Sequence, residues 1–88
     1  MYSLQIDEGL MKKLDKLRKK NRKQVEIILK KADEVVKDPH RYKNLRAPLN
    51  MWNRVHIDKH FVLVYSVDDS RKVVTLEDYN HHDVIYNR

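Results

Sequence analysis

Five histidines mark this chain, and four stand in its second half: His56 and His60 within NRVHIDKHFVLVY, His81 and His82 within NHHDVIY. Imidazole is the side chain that changes charge near neutral pH without special surroundings. A pair of them beside a guanidinium can do acid–base work on phosphate esters without a metal. Arg54 precedes His56 by two residues, and Tyr86 follows His82 by four, so one helical turn would bring that phenol to that imidazole. If the tail crosses an open sheet face, His82 approaches His56 and Arg54, a set to which RNA is susceptible. The rival reading leaves His81 and His82 as exposed tail residues. A metal is the other possibility, since His56, Asp58 and His60 would share one face of a continuous strand. Reading Asp58-Lys59-His60 as the turn between two strands removes that shared face, and this is the preferred reading, with no metal and no cofactor. The single glycine leaves no phosphate-cradling loop and the absence of cysteine leaves no thiol nucleophile. Ser3, Ser66 and Ser70 have no catalytic context.

The elements that must position these residues are legible from apolar spacing. YSLQI alternates and predicts a short strand. Leu10, Leu14 and Leu17 recur at helical spacing, and after a polar break near Asn21 the residues Val25, Ile28, Leu29, Ala32, Val35 and Val36 share one helical face up to Asp38-Pro39. A short junction between two such helices predicts an antiparallel hairpin whose apolar stripe needs a partner. Residues 39–51, with both prolines, read as a loop. The period then drops to two: WNRVHI puts Val55 and Ile57 on one side and Trp52, Arg54 and His56 on the other. FVLVYSV suits a central strand, Asp68-Asp69-Ser70 a turn, KVVTLEDY its hairpin partner, and the tail a short helix or a strand. The fold class is α+β: an N-terminal strand and a helical hairpin packed on one face of an antiparallel sheet. The 88 residues make one domain, 1–88, and the sheet's other face is left for function.

Charge narrows the partners. The net charge is +6, and residues 1–50 carry fourteen of the nineteen Lys/Arg against seven of the thirteen acids. Eight basic residues fall between Lys12 and Lys23, interrupted only by Asp15. A solvated helix exterior is the ordinary explanation of such a run, yet like charges at i and i+4 cost about 0.2–0.5 kcal/mol per pair, and intrahelical pairing cannot offset them here. Phosphate is the natural counterpart, with an acidic protein and an anionic membrane behind it. No apolar run is long enough for a membrane span or a signal peptide, and the lack of cysteine suits a reducing, cytoplasmic setting.

Three stretches, DPHRYKNLRAPL, RVHIDKHFVLVYSV and HHDVIY, taken in that order and spacing, resemble the RelE/ParE superfamily of toxins from toxin–antitoxin pairs. The likeness is strongest to RelE-like messenger-RNA interferases and their histidine-bearing YafQ-like branch, and it covers nearly the whole chain. It implies a RelE-like fold and a ribosome-dependent endoribonuclease that cleaves mRNA in the A site through the RNA 2′-hydroxyl. It also implies an acidic RelB-like antitoxin as partner. His56 matches the histidine at the end of the first sheet strand, and His82 with Tyr86 matches the C-terminal histidine and aromatic, so the resemblance makes His56 and His82 general base and acid in unassigned order. Arg54 and Arg46 would hold the phosphate, Tyr86 would stack on or orient a nucleotide, and His60 stands near a position that is acidic in the YafQ-like branch. Lys12, Lys13, Lys16, Lys19, Lys20 and Lys23 would grip ribosomal RNA. Two positions depart from the templates: Val62 stands where RelE-like enzymes carry an arginine, and Ala47 where the YafQ-like branch has a histidine. The alternatives are a ParE-like toxin that binds DNA gyrase and a non-catalytic nucleic-acid-binding module.

Overall fold

The computed structural model describes residues 1–45 and 51–86. In chain order these form strand β1 (Ser3–Ile6), helices α1 (Glu8–Lys20) and α2 (Arg22–Lys37), a 3-10 turn (Pro39–Arg41), strands β2 (Asn53–His56), β3 (Phe61–Asp68) and β4 (Val73–His81), and helix α3 (His82–Tyr86).

The hairpin owes its sharpness to one residue. Asp7 opens α1 by accepting from the Leu10 amide (3.1 Å). Asn21 then closes α1, its amide donating to the Leu17 carbonyl (2.7 Å). The Asn21 side chain also opens α2, accepting from the Gln24 amide (3.1 Å). Asparagine suits both roles because its short amide can replace an orphaned backbone partner. The stripe expected on α2 is buried at Val25, Ile28, Ala32, Val35 and Val36, whereas Leu29 lies at its margin and is 42% exposed.

The sheet runs β1-β4-β3-β2. β2, β3 and β4 are antiparallel neighbours, as the two turns require. β1 pairs with β4 in parallel, from Ser3 opposite Val73 to Ile6 opposite Leu76, so the sheet is mixed rather than wholly antiparallel. No tight turn ties β1 to its neighbour, and its direction follows from the long excursion through the hairpin. The register of β3 on β4 slips between Val64, opposite Asp78, and Tyr65, opposite Leu76, leaving Glu77 as a bulge residue.

Alternation divides the sheet into two faces. Val55, Ile57, Leu63, Tyr65, Val74, Leu76 and Tyr79 pack with Leu10, Leu14, Ile28, Ala32 and Val35 of the hairpin into the main core. Within it the Tyr65 hydroxyl donates to the Pro39 carbonyl (2.6 Å), and burial pushes this phenol far above its ordinary pKa. On the opposite face Val62 and Val64 pack with Leu45, Ile85 and Trp52. The far side is therefore not wholly open: α3 and the segment before β2 cover part of it.

Candidate active site and nucleic-acid interface

Residues directly opposite one another in an antiparallel pair share a face. Arg54 opposite Val64 and His56 opposite Val62 therefore point away from the hairpin. β2 can hold them there because its alternate residues Asn53 and Val55 are buried. The Asn53 side-chain amide donates to the Tyr42 carbonyl (3.0 Å) and to Asn44 (2.8 Å), which ties residues 42–44 to the strand. The Arg54 amide donates to the Lys43 carbonyl (3.0 Å), extending the sheet by a partial strand.

His82 is positioned from the turn before β3. β4 ends at His81, and the His82 amide donates to the His60 carbonyl (2.7 Å), so the β2–β3 turn fixes where α3 begins. α3 then folds back until Ile85 is buried on Val62 and Val64. Its last residue brings the Tyr86 ring to 5.5 Å from the Arg54 guanidinium carbon, while the same ring lies 6.2 Å from the His82 imidazole. His56, Val62 and Asn80 sit side by side on successive strands. At a strand spacing of about 4.8 Å, Asn80, two residues before His82, is roughly 10 Å from His56. Arg54 and His56 thus share the face away from the hairpin, Tyr86 lies over the Arg54 guanidinium, and the His82 imidazole is 6.2 Å from that phenol ring.

Val62, the departure from the RelE-like arginine, is wholly buried under α3. A cation could not occupy that position without displacing Ile85. Arg46, expected to hold phosphate, and Ala47, the second departure, lie outside the described residues. His60 stands in the turn rather than on the face with His56. Asp58 caps that turn by accepting from the His60 (2.8 Å) and Phe61 (3.0 Å) amides. Those bonds, the His60 amide foremost, hold the Asp58 carboxyl below its ordinary pKa, with the Gln24 side chain adding to them at 3.3 Å. The turn reading of residues 58–60 holds, and Asp58 is a cap.

Three further cations, Lys31, Arg41 and Lys43, carry no distinguishing spacing in the sequence. An open groove of about 360 Å³ runs along the β2 edge, lined by Lys31, Arg41, Tyr42, Lys43, Arg54, Val55 and His56, with no carboxylate in its lining. The signal for Arg41 and Lys43 was the basic string HRYK in the loop before β2. Lys31 could not be told from other helix-surface lysines until the fold brought it to that edge.

The basic run on the hairpin lies elsewhere. α1 packs on the hairpin face of the sheet, the reverse of the face carrying His56. Lys12, Lys16, Lys19, Lys20 and Lys23 are exposed. Lys13 is committed internally: its ammonium donates to the Tyr79 carbonyl and lies 3.5 Å from Asp78. Among the described residues no helix is long and apolar enough to cross a membrane.

No family model matches the chain. It is 64% identical over 86 residues to an uncharacterised protein of Methanosarcina mazei, covering 98% of this chain and 100% of that protein. It is 51% identical over 88 residues to a candidate toxin named RelE4 of Methanocaldococcus jannaschii, covering 100% of this chain and 94% of that one. The toxin–antitoxin complex RelBE2 of Mycobacterium tuberculosis shares the fold, with a TM-score of 0.78 at 21% identity over 91% of this chain and 96% of that chain. Half the residues in common along the whole length of this chain establish kinship with the RelE4 protein, and the chain belongs to the RelE/ParE superfamily of toxins from toxin–antitoxin pairs.

Proposed function

We propose that this toxin is a ribosome-dependent endoribonuclease that cleaves messenger RNA in the A site. The observation that supports the reading is the contact of the Tyr86 ring with the Arg54 guanidinium, 5.5 Å away, with the His82 imidazole 6.2 Å from the same ring. In this mechanism one imidazole, of His56 or His82, takes the proton of a ribose 2′-hydroxyl as its oxygen attacks the adjacent phosphorus. The other gives a proton to the departing 5′-oxygen, leaving a 2′,3′-cyclic phosphate and a free 5′-hydroxyl. Arg54 meets the charge that builds on the phosphoryl oxygens, with Lys31, Arg41 and Lys43 of the groove drawing the strand in. Tyr86, 45% exposed, offers a surface for an unstacked base. The steps need no metal.

The partner is an acidic RelB-like antitoxin, and the site of action is the cytoplasm, where ribosomes are. RelBE2 of Mycobacterium tuberculosis is a toxin–antitoxin complex of this fold. The free cations of α1 and the exposed Leu4, Met11 and Leu29 supply the mixed apolar and basic surface that an acidic amphipathic segment would cover. Cleavage sites are mapped on mRNA in programmed ribosomes treated with the chain. His56→Ala and His82→Ala should each slow cleavage by about 10²–10⁴-fold, the worth of a general acid or base. Undiminished cleavage by both variants would sink the assignment.

A further inference from the structure

The turn before β3 and the junction between β4 and α3 place three imidazoles together. His60, His81 and His82 each offer a ring nitrogen, and these atoms all lie within 4.8 Å of one another. The His60 and His81 rings are nearly parallel, 5.8 Å apart at an interplanar angle of 9°, and the His81 and His82 rings are 4.8 Å apart. We infer that His60, His81 and His82 form a site for a single transition-metal dication of imidazole preference, such as Zn²⁺ or Ni²⁺.

Three arguments carry this. The first is distance: a zinc ion holds imidazole nitrogens at about 2.0–2.1 Å, which sets them a little over 3 Å apart in a tetrahedron. Closing from 4.8 Å is a matter of side-chain rotation, because the backbone is already anchored. Asp58 fixes the His60 amide, and the His60 carbonyl fixes the His82 amide. The second is an outer carboxylate: Asp83 Oδ1 lies 2.9 Å from His82 Nδ1, the arrangement that turns the other ring nitrogen outward as a ligand. The third is access, since His60 is exposed and His81 and His82 are half-buried, so an ion can enter and retain an open coordination position. One bond must be exchanged on binding through His81 Nδ1, which accepts a long hydrogen bond (3.2 Å) from the Asp83 amide.

This set differs from the strand triplet His56, Asp58 and His60, whose aspartate is occupied as a turn cap. An ion here joins the β2–β3 turn to the start of α3. Given the catalytic role proposed above for His82, on which this consequence rests, occupancy would also withdraw that imidazole from proton transfer and silence the toxin.

The site is tested by calorimetric titration of the full chain with Zn²⁺ and Ni²⁺, together with the absorption spectrum of the Co²⁺ adduct. The expected result is one ion per chain, weakened by at least about tenfold in each of His60→Ala, His81→Ala and His82→Ala. His56→Ala and His40→Ala should bind as the parent does. Circular dichroism of each variant verifies that lost binding is not lost folding. Absence of binding by the parent, or equal loss in His56→Ala and His40→Ala, would overturn the site. Because binding is read without RNA, failure of the nuclease assignment leaves this result standing, and the reverse also holds.

Discussion

At the scale of single residues, the side chains that matter here are held by short-range caps. Asp58, Asp68 and Asp69 all titrate below the ordinary carboxylate range. The chief causes are the His60 amide at Asp58, the Ser70 hydroxyl at Asp68 and the Tyr2 hydroxyl at Asp69. A carboxyl whose folded pKa is depressed adds stability above its unfolded value, about 3.9, and that contribution is lost as pH falls through the folded value. Thermal unfolding followed by Trp52 fluorescence should therefore show Tm falling steadily once the pH drops below about 4. Asp58→Asn, which keeps an acceptor oxygen for the turn but cannot titrate, should lower Tm at pH 7 and flatten this acid limb. An unchanged slope would mean that the turn does not depend on the charge. Much of this scale was legible beforehand. Strand alternation placed Arg54 and His56 on the face away from the core, and Asp58-Lys59-His60 read as a turn. The commitment of Lys13 to the Tyr79 carbonyl was not legible, because it needs the end of β4 beside α1, a contact between residues 66 apart in sequence.

At the scale of elements, the weakest piece carries two of the four proposed catalytic residues. α3 has five residues, too few for a helix to be stable alone, and survives by burying Ile85 against Val62 and Val64. Its sequence is compatible with helix or strand because five residues hold too little periodicity to choose. The helical hairpin is legible because its stripes span several turns, while the parallel direction of β1 depends on a long-range pairing that local spacing does not encode. Ile85→Ala removes the anchor at a cost of about 2–5 kcal/mol if the site cannot collapse. Since α3 is a single short element held by Ile85, that loss should appear as local undocking. Amides of residues 83–86 should exchange faster while those of β3 keep their protection. RNA cleavage should fall as far as in His82→Ala. Fast exchange with full activity would show that the position of α3 is irrelevant to chemistry.

At the scale of the whole molecule, the two positive regions lie on opposite sides of the sheet. Lys12, Lys16, Lys19, Lys20 and Lys23 project from the hairpin, while Arg54 and His56 belong to the other face, with Lys31, Arg41 and Lys43 along the β2 edge between them. In the ribosome-dependent mechanism proposed above, this division suits a large polyanion that surrounds the toxin, with ribosomal RNA against the hairpin and the message in the groove. Each neutralised phosphate releases counterions, so the logarithm of affinity falls with the logarithm of salt by roughly 0.7–0.9 per contact. Replacing Lys16, Lys19 and Lys20 together by Gln should weaken binding to ribosomes and reduce that slope by about two units if all three cations touch phosphate. Chemistry on bound complexes should be unaffected, because no residue of the groove is altered. Lys13→Gln should behave differently: it removes a cation tied to Tyr79 and Asp78, so its effect should register in Tm with little change in the salt slope. A slope indifferent to the triple substitution would place the ribosome on the groove side alone and leave the hairpin's charge to the antitoxin.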